Sequence, residues 1–432
     1  MKQIIYFMLF IVFSSAQELS GFLEYGVSAR TQGNPNLNHI DKDILNETRV
    51  QIKLEHESDE SSLFIKADLI QDHALNTSDV HLREAFFHHA GAEWLDVKIG
   101  RQIQTWGVGD LLFINDMFPK DWVSFFSGRN QEYLKKPSDA FRFTIYPESQ
   151  LLESIDLSVM NHATDKLLQS EQRFSSSNPI YAYYRQNGIT FTSPATKEMS
   201  VKHTEFSLKI QLQDVYTLSS SLYFHKGYWN TPQSIEISKS QITPYFSRLN
   251  VYGGSLQTPI FGGILSFETG YYHSLEDKSG TDPYIENSSL RMLFLYERPL
   301  TSSFTVGVQY YFEHIENYEA ISKKMIIDKD GLRNSYRDIV SLRLTKKLLN
   351  NALTVTWFSF ISPGDEDYYL RPHISYEYTD QIRLFITGNI FGAFGKRNKI
   401  TYGPQGLPNY HNTMFSQFKN DSNINITLRY VW

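Results

Sequence analysis

Between Gln104 and Asp139 the chain gathers side chains that can act electrostatically on a passing solute. Asp110, Asp116, Asp121 and Asp139 stand beside Lys120, Arg129, Lys135 and Lys136, interleaved with Trp106, Phe113, Trp122, Phe125 and Phe126. Carboxylates facing cations across a narrow wet gap set up a transverse field, which orients dipolar solutes and holds back large ones. The aromatic rings would either pack such a segment against a wall or offer stacking faces to a ligand. Long ordered connections usually carry function. The alternative is a cover folded over an opening for structural reasons alone.

The elements that must position this stretch are strands. In Asn423–Trp432, Ile424, Ile426, Leu428, Tyr430 and Trp432 alternate with Asn423, Asn425, Thr427, Arg429 and Val431. A period of two puts the apolar set on one face and the polar set on the other. The same alternation recurs at Leu19–Val27, Val50–Leu54, Leu63–Leu69, Leu95–Ile99, Phe141–Ile145 and Phe206–Leu212. It continues through Leu290–Tyr296, Phe304–Phe312, Val340–Leu344, Leu353–Trp357, Leu370–Tyr378 and Ile382–Ile390. Short connections (Ser58–Ser61, Ala90–Glu93, Gln213-Asp214, Gln257–Pro259, Arg298–Thr301, Thr379–Gln381) alternate with long ones. The long ones are Arg30–Glu47, Gln104–Asp139, Asn161–Ser200, Lys226–Gln241, His314–Arg337 and Gly392–Asp421. This pattern predicts an all-β, closed antiparallel transmembrane barrel of about 18 strands, with tight periplasmic turns, long extracellular loops and both termini periplasmic. A propeller or solenoid would need a fixed repeat length, which these uneven loops do not supply. One strand, Val80–Ala90, conflicts with alternation, since either Arg83 or Glu84 must point at lipid.

Composition agrees. Mean hydropathy is mildly negative while Tyr and Phe number 27 and 30, which suits a wall wet on one side and girdled by aromatics on the other. Residues 1–16 read as a signal peptide: Lys2, then an apolar run Ile4–Phe13, then Ser14-Ser15-Ala16 at the cleavage positions. The barrel then occupies 17–432, with its first strand beginning at Leu19 and no plug domain before it. Cysteine is absent, which excludes disulfide staples, thioether haem and Cys-based zinc sites.

Inside such a barrel, Arg49, Lys53, Lys66, Lys98, Arg142, Lys209, Arg291, Arg343, Arg383 and Arg429 share a face with Glu24, Glu55, Asp68, Asp96, Glu205, Glu268 and Glu377. Bases outnumber acids there although the whole chain carries a formal charge of −6. Two readings stay open: a passage that prefers anions, or a mutually paired, solvated wall. Arg49, Arg383 and Arg429 lie where the first and last strands would meet, as a basic ladder. His81, His88 and His89 lack the spacing of a metal motif. Asp365-Glu366-Asp367 reads as a solvated acidic turn. No nucleophile–base pairing points to an enzyme, no cofactor is called for, and an acidic chain without a basic cluster is unsuited to nucleic acid.

Arg83-Glu84-Ala85-Phe86, Gly100-Arg101-Gln102, Trp106-Gly107, Asp110, Asn115-Asp116, Pro119, Asp121 and Lys136-Pro137 together resemble a group of Gram-negative outer-membrane barrels. These are related in style to alginate-export and substrate-specific porins. The resemblance implies an outer-membrane channel for a small hydrophilic solute, with the loop after the GRQ-type strand folded into the lumen. It also implies outer-membrane lipid and lipopolysaccharide as surroundings. The terminal Trp432 resembles the aromatic signal read by the barrel-assembly machinery. Alternatives are an export or assembly barrel served by periplasmic partners, and an adhesin or lipid-acting barrel with an occluded lumen. Strict alternation places Arg101 on the lipid face, unless a bulge at Gly100 turns it inward.

Overall fold

The computed structural model describes residues 18–31, 43–166, 173–174, 190–191, 203–232, 234–238, 241–322, 334–395, 401–402, 408–409 and 413–432. The signal segment 1–16 and most of the loop following Asn161 lie outside these residues. The wall is one sheet of 18 strands. In chain order they are β1 (Glu18–Arg30), β2 (Asp43–Glu57), β3 (Ser61–Asp72), β4 (Thr77–Ala92), β5 (Leu95–Gln102) and β6 (Ser138–Ile145). Then follow β7 (Leu152–Asn161), β8 (Thr204–Leu212), β9 (Ser219–Tyr228), β10 (Arg248–Ile260), β11 (Gly263–Ser274) and β12 (Ser289–Thr301). The last are β13 (Phe304–Ile315), β14 (Tyr336–Leu348), β15 (Leu353–Ser362), β16 (Asp367–Glu377), β17 (Ile382–Ala393) and β18 (Asn423–Val431). Each strand pairs antiparallel with its neighbour in this order. β18 returns to β1, with Leu23 opposite Tyr430 and Glu24 opposite Arg429, so no edge is left to template aggregation.

The sidedness is inverted relative to a protein in water. On β18, Asn423, Asn425, Thr427 and Arg429 are buried, while Ile424, Ile426, Leu428 and Tyr430 are between 44% and 55% exposed. Polar groups buried inside and apolar groups outside make a stable wall only when the surroundings are hydrocarbon. The seam is closed further by Gly21 N–H to Trp432 O at 3.2 Å and Trp432 N–H to Gly21 O at 3.1 Å. A Cβ at Gly21 would collide with the backbone carbonyl of Gln51 on β2 and lie 2.9 Å from the Trp432 ring, so the glycine makes room for the neighbouring strand and for the terminal aromatic together.

Four expectations change. The turn between β10 and β11 is Phe261-Gly262, not Gln257–Pro259. Both residues have positive φ (50° and 73°), which the strand twist of a two-residue hairpin favours. Likewise Arg298–Thr301 closes β12, and the turn is Ser302-Ser303. The alternation of short and long connections is not strict: 73–76 and 363–366 are four-residue turns at the long-loop end. Finally, the conflict at Arg83 and Glu84 is relieved by a β-bulge. Lys66 pairs with Glu84 and Ala67 with Leu82, leaving Arg83 as the extra residue, and both charged side chains turn inward with under 10% exposure.

Arg101 stays on the outer face, as alternation requires. It does not turn inward at Gly100; its guanidinium makes a two-pronged contact with Asp139 at 2.8 and 2.9 Å. Asp139, opposite Arg101 on β6, therefore leaves the set of acids available to the lumen.

Candidate functional site

The segment 103–137 folds into the barrel. Its course is fixed where it meets the wall of β11. Glu268, fully buried there, accepts from Val108 N–H (2.9 Å), Gly109 N–H (3.1 Å), Asn115 N–H (2.7 Å) and Asn115 Nδ2 (3.0 Å). The close approach needs a glycine: Gly107 has φ +80°, and a Cβ on it would meet Glu268 Oε1 at 2.5 Å. Gly128 does the same on the far wall, with φ +90° and a virtual Cβ 2.4 Å from Asn425 Cβ. Between these points Asp121 caps a one-turn helix, Trp122–Phe126, by accepting from Ser124 N–H at 2.8 Å.

The segment reaches several sides of the lumen. Arg371 of β16 donates to Phe125 O (2.7 Å), Asn423 of β18 to Phe126 O (3.0 Å), and Asn230 to Met117 O (2.9 Å). Arg83 of β4 donates to Glu132 O (3.3 Å) and Lys135 O (3.0 Å), and Gln51 of β2 to Tyr133 Oη (3.2 Å). Apolar packing fills the centre: Leu112, Ile114, Phe125 and Phe126 lie in one cluster with Leu249, Leu293, Ile339, Phe358, Tyr369 and Phe391 of the wall. Phe415 and Phe418, from the connection before β18, close it from the loop end. The inner wall of β10–β17 therefore carries an apolar patch matched to the loop.

The residues singled out in the sequence fall into this frame unevenly. Trp106 packs rather than waits: it stands edge-on to Phe118 at 5.0 Å and against Tyr223 of β9 at 6.2 Å. Asp110 is held by Arg343 of β14 at 2.6 Å, and burial raises its carboxyl above the usual range against the pull of that guanidinium. Asp116 is tied within the loop to Lys120 at 2.9 Å and to Thr105 Oγ1 at 2.8 Å. Lys53 pairs with Glu55 at 2.6 Å, Arg142 with Asp156 at 2.6 Å, and Arg383 with Glu377 at 3.4 Å. Arg429 meets Glu24 at 2.6 Å and Glu132 of the loop at 3.1 Å. Arg49 binds Glu47 at 2.6 Å and also Asp68, beneath the ring of Tyr133.

The seam is thus a mixed row, not a basic ladder. Arg383, Arg429, Glu24 and Arg49 are successive cross-strand partners, with Glu24 set between two arginines. Asp365 and Asp367 are likewise buried rather than solvated. Asp365 pairs with Arg337 at 2.8 Å, and Asp367 accepts Phe415 N–H at 2.6 Å and Ser416 N–H at 3.0 Å. His81, His88 and His89 are strung along β4, and His89 Nδ1 lies 2.8 Å from Ser61 Oγ. Sequence reasoning placed Glu268 on the lumen face but missed its role as the loop's anchor. The glycines at 107 and 109 were the available signal.

Beside the loop, at the end where β3 meets β4 through the low turn 73–76, lies a cavity of about 160 Å³. Its lining includes Glu47, Arg49, Arg83, Asp121, Arg129 and Tyr133. Most of its cations have acid partners. Arg83 has none among the described residues: it is 8% exposed and satisfied by two carbonyls and the Tyr133 ring at 4.8 Å.

A second connection pins the loop from above. The Asp165 carboxylate accepts Lys120 N–H (2.8 Å) and Trp122 Nε1–H (3.0 Å), and burial pushes its pKa up to about 6 against the opposing pull of Lys120 and Lys136. A released Asp165 titrates near the ordinary value of about 3.9. Because the docked value is higher, protonation favours docking, and that contribution is lost as pH rises through about 6. Openings of the loop are therefore expected to be rarer at pH 5 than at pH 7.5 in bilayer recordings. Asp165→Asn should flatten the difference; an unchanged pH response in that variant would place the titrating group elsewhere.

No family model matches the sequence, and no curated protein matches it in a sequence search. Solved structures do match its shape. Acinetobacter baumannii OccAB4 superposes with a TM-score of 0.54 at 10% identity, over 96% of this chain and 97% of that one. Pseudomonas aeruginosa OccK5 (OpdH) gives 0.51 at 10% identity, over 96% and 98%, and OccK11 (OpdR) gives 0.51 at 9% identity, over 96% and 95%. The fold is that of an outer-membrane porin. At such low identity the porin fold carries over, and residue roles do not.

Proposed function

We propose that this chain is a passive outer-membrane channel for small hydrophilic solutes, with segment 103–137 as its constriction. The observation that carries the reading is Glu268, which gathers four donors of one loop onto the inner wall of a closed barrel. Such a tether costs a buried carboxylate and serves no purpose for the wall itself. The mature protein would begin at residue 17 once 1–16 are removed, and would sit among phospholipid and lipopolysaccharide. Trp106, Asp110, Asp116 and Asp121 then shape the constriction, while Arg49, Lys53, Arg142, Arg383 and Arg429 form the charged wall around it.

A preference for acidic solutes rests on a narrower basis than the count of bases suggested. Most wall arginines are paired with acids; Arg83 and Arg371 are held by carbonyl, hydroxyl and amide oxygens instead, and of these two Arg83 lies beside a cavity whose size suits a small carboxylate. Arg83→Gln should shift the reversal potential towards cations in a salt gradient. The shift should grow as salt falls, because the screening length lengthens from about 10 Å at 0.1 M to about 30 Å at 0.01 M. No shift at either salt would remove the acidic preference and leave the channel reading intact. The apolar cluster in the lumen favours a second reading, a barrel occluded at rest that serves export or surface attachment. Absence of any conductance under voltage would select it.

A further inference from the structure

The short turns at the other end of the barrel carry side chains that the wall does not need. In bacterial barrels this end faces the periplasm. From β4 to β11 the turns are 93–94, 146–151, 213–218 and 261–262. They present Trp94 (59% exposed), Leu151 (67%), Tyr216 (99%) and Phe261 (80%) to the surroundings. The turns are contiguous: Tyr146 N–H bonds Trp94 O at 2.9 Å, Gln213 N–H bonds Leu151 O at 2.9 Å, and Thr217 Oγ1 lies 3.3 Å from Thr258 Oγ1 beside the last turn.

Two features set this arc apart from ordinary turn chemistry. Tyr216 and Phe261 sit at φ 57° and 50°, in the left-handed region where glycine or asparagine is the favourable choice. Bulky aromatics there work against local stability, and their rings touch little of the chain. Secondly, the arc's turns carry acids and no cation of their own, although the Arg298 guanidinium lies against the last of them at Gly262. Glu93, Glu148 and Asp214 lie in these same turns, and none of the barrel's eight short turns contains a Lys or Arg. Exposed cations begin on the neighbouring strand ends, at Arg298 and Lys347.

We propose that this arc docks a periplasmic protein through a segment bearing Lys or Arg beside an apolar groove. Aromatic tips supply the anchors, and the three acids select a basic partner and steer its approach. Charge decides against the other occupants. A lipid interface couples its aromatics to several Lys and Arg that meet headgroup phosphates, whereas three acids beside Arg298 leave the arc net negative, which anionic lipid repels. A second copy would set acid against acid.

The test uses the full chain in intact cells, with Tyr216 replaced by the photoreactive analogue benzoylphenylalanine and Ser303, outside the arc, replaced as the control. Irradiation should give one discrete adduct with a periplasmic protein from position 216 and none from 303, the crosslinked peptide carrying Lys or Arg. The adduct should fall severalfold when Glu93, Glu148 and Asp214 are changed together to Lys, with heat-modifiable barrel retained. A separate variant guards against misfolding. Phe261→Asn suits the left-handed turn better, so it should raise thermal stability while lowering adduct yield. An adduct with phospholipid or with a second copy, no adduct, or an adduct indifferent to charge reversal would each overturn the proposal. So would undiminished yield in the Phe261→Asn protein.

Discussion

Glu268→Ala is expected to raise single-channel conductance severalfold and to introduce flicker between docked and released levels. The substitution removes the acceptor of Val108, Gly109 and Asn115 N–H at one stroke. A buried donor left without a partner costs about 1–3 kcal/mol, and about 1.4 kcal/mol already changes a population tenfold. Arg371, Asn423 and the Arg343–Asp110 pair still hold other parts of the segment, so release should be partial at the β11 side. Glu268→Gln offers a graded comparison. Its amide keeps one oxygen for these donors but turns an NH2 towards others, so its effect should fall between wild type and Ala. Equal conductance in all three proteins would show that the β11 contact does not control the passage.

Removing Tyr430–Trp432 should abolish most heat-modifiable barrel while leaving secretion across the inner membrane unchanged. The direct loss is confined to the end of the seam: the two Gly21–Trp432 backbone bonds, Val431 N–H to Gln381 O at 2.8 Å, the pairing of Tyr430 with Leu23 and Ile382 and of Val431 with Phe22, and the Trp432 ring over Gly21. Hydrogen bonds of this kind contribute about 1 kcal/mol each. The larger effect is expected on assembly, because β18 must find β1 before the barrel has any closed edge. Trp432→Phe should restore most assembly and Trp432→Ala little of it. Normal yield of the truncated protein, measured by heat-modifiable mobility, would refute a role for the terminal aromatic.

The wall was legible because a lipid-facing strand writes its geometry in every second residue. Ile424 to Tyr430 could be assigned to the outside from the pattern alone, and the 18-strand count followed from repeating it. Errors arose where one residue is added or a turn is compact. At Arg83 a bulge puts two consecutive charges on the same side, which no strict period anticipates. Gln257–Pro259 and Arg298–Thr301 read as short connections, yet each lies within a strand pair close to its hairpin. The site was less legible for a different reason. Alternation shows that Arg429 faces inward, but not that Glu24 and Glu132 await it, one of them on a loop over 290 residues away in sequence. Counting bases on a face overstates its field when the partners come from the loop. Glu268 was visible as a lumen acid, whereas its role depends on four donors from a segment without periodicity.

Segment 103–137, folded inside the barrel, is proposed to set what passes. Paired planar-bilayer recordings test it most directly, on the intact protein and on one in which residues 108–134 are replaced by a short Gly-Ser linker. Small, discrete, ion-selective steps are expected from the intact protein and larger, weakly selective steps from the shortened one. Identical steps from both proteins, or no conductance from either once the shortened protein is confirmed as a heat-modifiable barrel, would contradict it.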